Sequence, residues 1–110
     1  MATPFKYPTV AHLLDDVRQE AGLHDFGDDG FREGLAMLLH SVECEAQLSA
    51  DVAARLIEQF KRRLRNRLEV EEWYRVHLET AQIKVGRPTS ITGLPRTGTT
   101  ALANILSLDE

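Results

Sequence analysis

Residues 93–100 read GLPRTGTT, in which two glycines five positions apart are followed at once by two threonines. This spacing, G-x-x-x-x-G-x-[ST], is typical of a loop that holds a phosphate group. Glycines let the chain turn and bring main-chain N–H groups close to an anion, and the unpaired N–H groups of the next helix point to the same place. The segment therefore predicts an anion site at a helix that opens at Thr99 or Thr100.

The residues on either side of this loop fit a strand and a helix. Residues 89–92 form a short β-prone run, which predicts a strand. After the loop, apolar residues recur at helical spacing over residues 101–106. Strand, glycine loop and helix make the first half of a parallel βαβ crossover. Because such a strand needs neighbours to pair with, we expect the chain to be the N-terminal piece of a larger protein, with an incomplete fold.

The residues before the loop have helical patterns. Thr9 can cap a first helix that ends near Gly22, a second helix is expected from about Phe31 to Ala46, and Ser49 can cap a third. The apolar stripe of the third helix changes phase, from Leu56, Phe60, Leu64 and Leu68 to Val70, Trp73, Tyr74 and Leu78. A straight α-helix cannot keep both sets on one face. The phase change thus predicts a kink or break between Asn66 and Val70, with the aromatic pair packed in the core.

These patterns predict a fold of two regions. Residues 1–85 form a mainly α N-terminal region. Residues 86–110 form the first strand–P-loop–helix of an α/β domain of the P-loop nucleotide-kinase-like type, truncated at the end of the chain.

Composition excludes several classes of protein. The net charge of −4 and the pI near 5.5 argue against a general nucleic-acid binder, and no apolar run approaches the ~20 residues of a membrane span. The first residues lack the pattern of a signal peptide, and a single cysteine, Cys44, excludes an internal disulfide. A cytoplasmic location is therefore expected. Four dispersed histidines indicate no metal site.

Charge is unevenly distributed along the chain. Residues 1–60 carry 11 acids and 4 bases, whereas residues 61–110 carry 6 acids and 9 bases. An anionic ligand would favour the C-terminal half. Five of the bases lie within residues 61–67; we interpret this run as a solvated helix face, with an anion-binding or nucleic-acid patch as the alternative.

Residues 94–100, LPRTGTT, resemble the 5′-phosphosulfate loop of sulfotransferases that use 3′-phosphoadenosine 5′-phosphosulfate (PAPS), whose bacterial members often read L-P-R-[ST]-G-T-T. Three upstream stretches, DFGD at 25–28, FREGL at 31–35 and RNRL at 65–68, are similar to the helical N-terminal region of that bacterial group. The resemblance covers most of this chain but only the first part of such an enzyme.

The resemblance implies a function and a set of site residues. The parent would be a sulfotransferase (EC 2.8.2-like) that moves a sulfuryl group from PAPS to a hydroxyl or amine of a small acceptor, with no metal, nucleic acid or membrane involved. The donor would be bound by Arg96, Thr97, Gly98, Thr99 and Thr100. Arg96 takes the place of the loop lysine of other members, and its role would be electrostatic because a guanidinium stays protonated.

Other family residues cannot be carried over. The catalytic base and the 3′-phosphate ligands would lie beyond residue 110, so that the chain alone is expected to be inactive.

Two alternatives stay open. The first is a P-loop nucleotide kinase or NTPase, although such loops carry a lysine where this chain has Thr99. The second is a non-enzymatic helical interaction module formed by residues 1–80.

Overall fold

A computed structural model describes residues 4–108, and this part of the chain contains four α-helices and one 3₁₀ helix. They are α1 (Val10–Ala21), α2 (Phe31–Cys44), α3 (Ala50–Val76), the 3₁₀ helix Leu78–Gln82 and α4 (Thr99–Leu106). The outer ends of the two predicted regions, residues 1–3 and 109–110, lie outside the described residues. The chain is thus mainly helical, as the sequence predicts for its N-terminal region.

Helix α1 has the two caps that the sequence predicts. The Thr9 hydroxyl oxygen accepts a hydrogen bond from the main-chain N–H of His12, at 3.2 Å. At the other end Gly22 has a φ of +66°, and its N–H donates to the Arg18 carbonyl at 2.9 Å. A left-handed residue at this position is favoured by glycine because a side chain would strain it.

Helix α2 begins at Phe31 as predicted but ends at Cys44, two residues before Ala46. The N–H groups of Glu45 and Ala46 both donate to the Ser41 carbonyl, at 2.9 and 3.3 Å. The chain then enters the left-handed region at Gln47, with a φ of +47°. Because the Ala46 N–H bonds to the carbonyl five residues back instead of four, the regular α-helical pattern ends before the predicted position.

Helix α3 is one continuous α-helix from Ala50 to Val76, so the predicted break between Asn66 and Val70 is wrong, whereas the alternative kink stays a prediction. The two apolar sets do not share a face. Leu64 and Leu68 are buried, whereas Trp73 and Tyr74 are 49% and 53% exposed. The placement of this aromatic pair in the core is therefore also wrong. A phase change requires a kink only if both sets must contact the same core.

The core lies between α1, α2 and α3. Its fully buried members come from α1 and α3, and Phe26 joins them from the loop between α1 and α2. The cluster consists of Leu13, Leu14, Val17, Phe26, Leu39, Ile57, Leu64 and Leu68. Phe5 and Tyr7 of the N-terminal arm both pack against this cluster. Their two rings meet each other edge to face, with centroids 5.0 Å apart. At ~2 kcal/mol for each large apolar side chain, this cluster is the main stabilising feature of the helical region.

The C-terminal segment differs from the prediction in one respect. Residues 89–92 are not a strand, and the structure contains none between residues 4 and 108. A strand is defined by hydrogen bonds to a neighbouring strand, and this part of the chain supplies no neighbour. Helix α4 opens at Thr99 as predicted. It packs against none of the other described helices.

None of the described helices combines the length and the apolar character that crossing a membrane requires.

Candidate functional site

The loop at residues 93–98 contains two residues in the left-handed backbone region. Arg96 has a φ of +64° and Gly98 a φ of +89°. The Thr97 hydroxyl donates a hydrogen bond to the Leu94 carbonyl at 2.6 Å, which closes the loop on itself. A Cβ at Gly93 would lie 3.1 Å from that hydroxyl oxygen. Glycine at position 93 therefore leaves room for the Thr97 side chain to reach the Leu94 carbonyl.

The loop leads directly into the N-terminus of α4. No side chain caps Gly98, and the first main-chain bond of the helix runs from the Leu102 N–H to the Gly98 carbonyl at 3.0 Å. The N–H groups of the first turn of a helix have no intrahelical partner. At Thr99, Thr100 and Ala101 they are consequently available to an anion, at the positive end of the helix dipole.

A shallow cavity of about 330 Å³ lies at this helix start. It is lined by Arg96, Gly98, Thr99, Thr100 and Ala101. The lining carries one guanidinium, two threonine hydroxyls and uncapped main-chain N–H groups, and it contains no carboxylate. Such a donor set fits an anion of phosphate or sulfate type. The cavity contains no general base and no nucleophile of raised reactivity.

Four of the five predicted donor-binding residues line this cavity, and the fifth lies beside it. Thr97 is not part of the lining, and its hydroxyl hydrogen is occupied by the Leu94 carbonyl. Its contribution to a ligand would come from the main-chain N–H. The binding role of all five residues stays a prediction. Ala101 lines the cavity but was missed in the sequence, because an alanine carries no chemical signal and acts here only through its position in the first turn.

The described part of the chain shows no side-chain group suited to a metal ion. Among residues 4–108, no three His, Cys, Asp or Glu side chains lie close enough together to hold a metal ion. His40 does approach Cys44, with 3.6 Å between Nδ1 and Sγ one turn apart on α2. Two ligands on an exposed helix face do not make the four-ligand set of a structural zinc site.

The basic run on α3 is mostly a solvated face, with two exceptions. Lys61 lies 3.5 to 3.8 Å from Asp16, Glu20 and Glu58 and is only 18% exposed. Burial acts to lower the pKa of the Lys61 ammonium, but the carboxylates outweigh it and raise that pKa above its ordinary value. The second exception, Arg67, bonds to the main chain of the loop before α2. Lys61 and Arg67 thus interact with carboxylates and main-chain carbonyls of this chain, and these contacts are structural.

Comparison with known proteins points to one family. Neither protein-family models nor curated protein sequences give a match. Among solved structures, the chain is similar to the crystal structure of the sulfotransferase STF1 from Mycobacterium tuberculosis, with a TM-score of 0.81 and 32% sequence identity. The similarity covers 94% of this chain, which spans 29% of the length of STF1. The sulfotransferase resemblance of the sequence is therefore confirmed, because this chain is similar to a sulfotransferase over the region that it spans.

Proposed function

We propose that this chain supplies the donor-binding loop of an enzyme that transfers a sulfuryl group from PAPS to a hydroxyl or amine of a small acceptor. The observation that carries the proposal is the uncapped N-terminus of α4, which lines one cavity together with Arg96. Main-chain N–H groups of residues 97–100 would bind the 5′-phosphosulfate, and the hydroxyls of Thr99 and Thr100 would add donors.

Arg96 would act on the charge that develops during transfer. The S–O bond to the 5′-phosphate breaks while an S–O or S–N bond to the acceptor forms, so negative charge builds up on the departing 5′-phosphate. A guanidinium next to that oxygen stabilises the charge without giving up a proton. The proton lost by the acceptor must pass to a base elsewhere, since the loop cavity holds none.

The division of the chain follows from this proposal. Residues 1–85 would form a helical region, and residues 86–110 would begin the α/β domain that binds the donor. The chain spans 29% of STF1, and we therefore propose that it needs further sequence for the acceptor site and is inactive alone.

A titration with two ligands tests the proposal against the NTPase alternative. The longest natural protein that contains these residues would be titrated by calorimetry with adenosine 3′,5′-bisphosphate and with ATP and Mg²⁺. The expected result is tighter binding of the bisphosphate, because Thr99 stands where a triphosphate-binding loop carries its lysine. Tighter binding of ATP and Mg²⁺ would contradict the proposed sulfotransferase function.

Two variants connect that binding to the loop. Arg96→Ala removes the cation of the cavity and should weaken bisphosphate binding by about 10- to 100-fold, as expected for one charge-assisted hydrogen bond. Arg63→Ala removes an exposed cation of the basic run on α3 and serves as the matched control. Equal losses in both variants would indicate general electrostatic attraction and contradict a dedicated site.

One observation favours the second alternative, a helical module. The core of α1, α2 and α3 includes no residue of 83–108. Deletion of residues 88–110 tests this alternative by circular dichroism. Loss of the helical signal would exclude an independent module, whereas a retained signal with binding of a protein partner would favour it.

A further inference from the structure

Helix α3 has apolar side chains on two opposite sides. Leu68 is completely buried in the core, whereas Val70, two residues later, is 42% exposed. Two residues correspond to roughly 200° around a helix, so the two side chains point in nearly opposite directions. Val70, Trp73, Tyr74 and His77 follow at helical spacing and form what we call the outward patch of α3. A soluble helix packed on one side only carries polar residues there.

The outward patch is ordered by its own contacts. The rings of Trp73 and His77 are stacked, with centroids 4.2 Å apart and planes at 16°. Tyr74 meets Trp73 edge to face at 5.5 Å, and His77 Nδ1 lies 2.9 Å from the Trp73 carbonyl. Exposed apolar clusters of this kind mark interaction sites, and rings already held in place lose little side-chain freedom on docking.

The segment that follows α3 also has apolar side chains without a packing partner among the described residues. Leu102, Ile105 and Leu106 of α4 are 47%, 65% and 48% exposed. The β-prone residues 89–92 have no strand to pair with among the described residues. A parallel sheet with helices on its faces would provide both the pairing and the cover.

We propose that the outward patch of α3 is the surface on which the α/β body of the same polypeptide docks, so that α3 is packed between that body and the α1–α2 layer. This inference rests on the proposed function, in which residues 86–110 begin that body. The chain spans 29% of STF1, so most of that structure has no counterpart here and is large enough to form such a body.

A second copy of this chain fits the patch less well. Three partly exposed apolar side chains can bury only about 300 Å² on each partner, against the roughly 800 Å² per partner of a stable interface. Docking within one polypeptide avoids the entropic cost of association, and about 20 residues from Trp73 to Gly93 keep the partner at high effective concentration. A patch of this size thus favours a partner that is connected to it in the same polypeptide.

Trp73 reports directly on this docking, because it is the only tryptophan of the chain. Acrylamide quenching would be measured for the 110-residue chain and for the longest natural protein that contains it, with the Trp73→Phe variant subtracted in each case. We expect efficient quenching of Trp73 in the short chain and a several-fold lower quenching constant in the long one. Equal accessibility in both would overturn the proposal. Shielding in the short chain that grows with concentration would also overturn it, in favour of a second copy.

A pair of charge substitutions provides an independent readout. Trp73→Glu places a carboxylate in the outward patch. Met37→Glu is the control, because it places a carboxylate at a 69% exposed site on α2, outside the patch. Both variants should leave the urea midpoint of the 110-residue chain nearly unchanged. In the long protein only Trp73→Glu should lower it, and equal midpoints for the two variants would contradict the docking.

Bisphosphate titration of the same long protein separates the two claims. Shielded Trp73 without bisphosphate binding would reject the proposed function and keep the docking surface. Bisphosphate binding with Trp73 fully accessible would reject the docking surface and keep the function.

Discussion

Arg67 on α3 donates a hydrogen bond from its Nε to the main-chain carbonyl of Phe26, 2.6 Å away. Its Nη2 also donates to the Asp28 carbonyl at 3.1 Å, and its guanidinium carbon lies 4.5 Å from the centroid of the Phe31 ring. One side chain thereby fastens the loop between α1 and α2 to the third helix. Phe26 belongs to this loop and its side chain is buried in the core, so the Arg67 hydrogen bonds help to keep a core residue in place.

Replacement of Arg67 by lysine should destabilise the helical region by about 1–3 kcal/mol, because an ammonium cannot donate in the planar arrangement and leaves a carbonyl unpaired. Urea unfolding followed by circular dichroism measures the change, with Arg63→Lys as the control on the same helix. An equal midpoint for the two variants would show that the Arg67 contacts add no stability.

Gly27→Ala should destabilise the protein by about 1–2 kcal/mol, because Gly27 has a φ of +74° and a side chain is strained in that conformation. The added Cβ would also lie 2.6 Å from the Glu71 carboxyl carbon, although that flexible side chain can move away. Gly34→Ala on α2, where a Cβ meets nothing within 4 Å, should instead stabilise by about 0.5–1 kcal/mol. Thermal unfolding of both variants checks the opposite signs, and destabilisation by both would refute the conformational explanation.

Stability should fall at alkaline pH through Lys61. The folded-state pKa of Lys61 is raised, so its contribution is fully present below the unfolded value of about 10.4 and is lost as the pH rises through the folded value. Lys61→Met should cost about 1 kcal/mol near neutral pH, a modest figure because the three carboxylates are largely exposed to solvent. Urea midpoints measured from pH 8 to pH 11 should decline less for the variant than for the wild type. Parallel curves would contradict this assignment.

Thr99→Lys should change the ligand preference of the loop. The substitution gives the loop the G-x-x-x-x-G-K-[ST] sequence of nucleotide triphosphatases, and the new ammonium can reach the terminal phosphates of a triphosphate. We expect the ratio of ATP affinity to adenosine 3′,5′-bisphosphate affinity to rise relative to the wild type, as measured by calorimetry. Thr99→Val lacks both the hydroxyl and the charge and serves as the control. An unchanged ratio in Thr99→Lys would indicate that this position does not face the ligand.

Local signals in the sequence were sufficient for the caps of α1 and for the starts of the helices. Ser49 lies at the N-cap position of α3, but its hydroxyl donates to the Asp51 carboxylate and caps no main-chain N–H. Thr9, Gly22, Phe31 and Thr99 lie where short-range rules place them, because a cap or a left-handed glycine is decided by a few neighbouring atoms. The exposure of the Trp73 side chain was not predictable from such local signals. Its position depends on which side of the continuous helix α3 packs against the core.

Features that depend on distant partners could not be predicted. Residues 89–92 have the composition of a strand, but composition supplies no neighbouring strand to pair with. Arg67 belongs to a basic run, and nothing in that run distinguishes it from Arg63; only the packing of α3 against the loop before α2 gives it its carbonyl partners. For the candidate site, the sequence predicts the phosphate-type loop. The hydrogen bond from the Thr97 hydroxyl to the Leu94 carbonyl depends on the fold of that loop, which the motif alone does not specify.

The most direct test of the central claim is an amide NMR titration of the longest natural protein containing these residues with adenosine 3′,5′-bisphosphate. The account predicts saturable chemical-shift changes at the main-chain N–H groups of residues 97–101, which are reduced in Arg96→Ala. Saturable changes confined to other parts of the protein, or changes at the loop produced only by ATP and Mg²⁺, would contradict it.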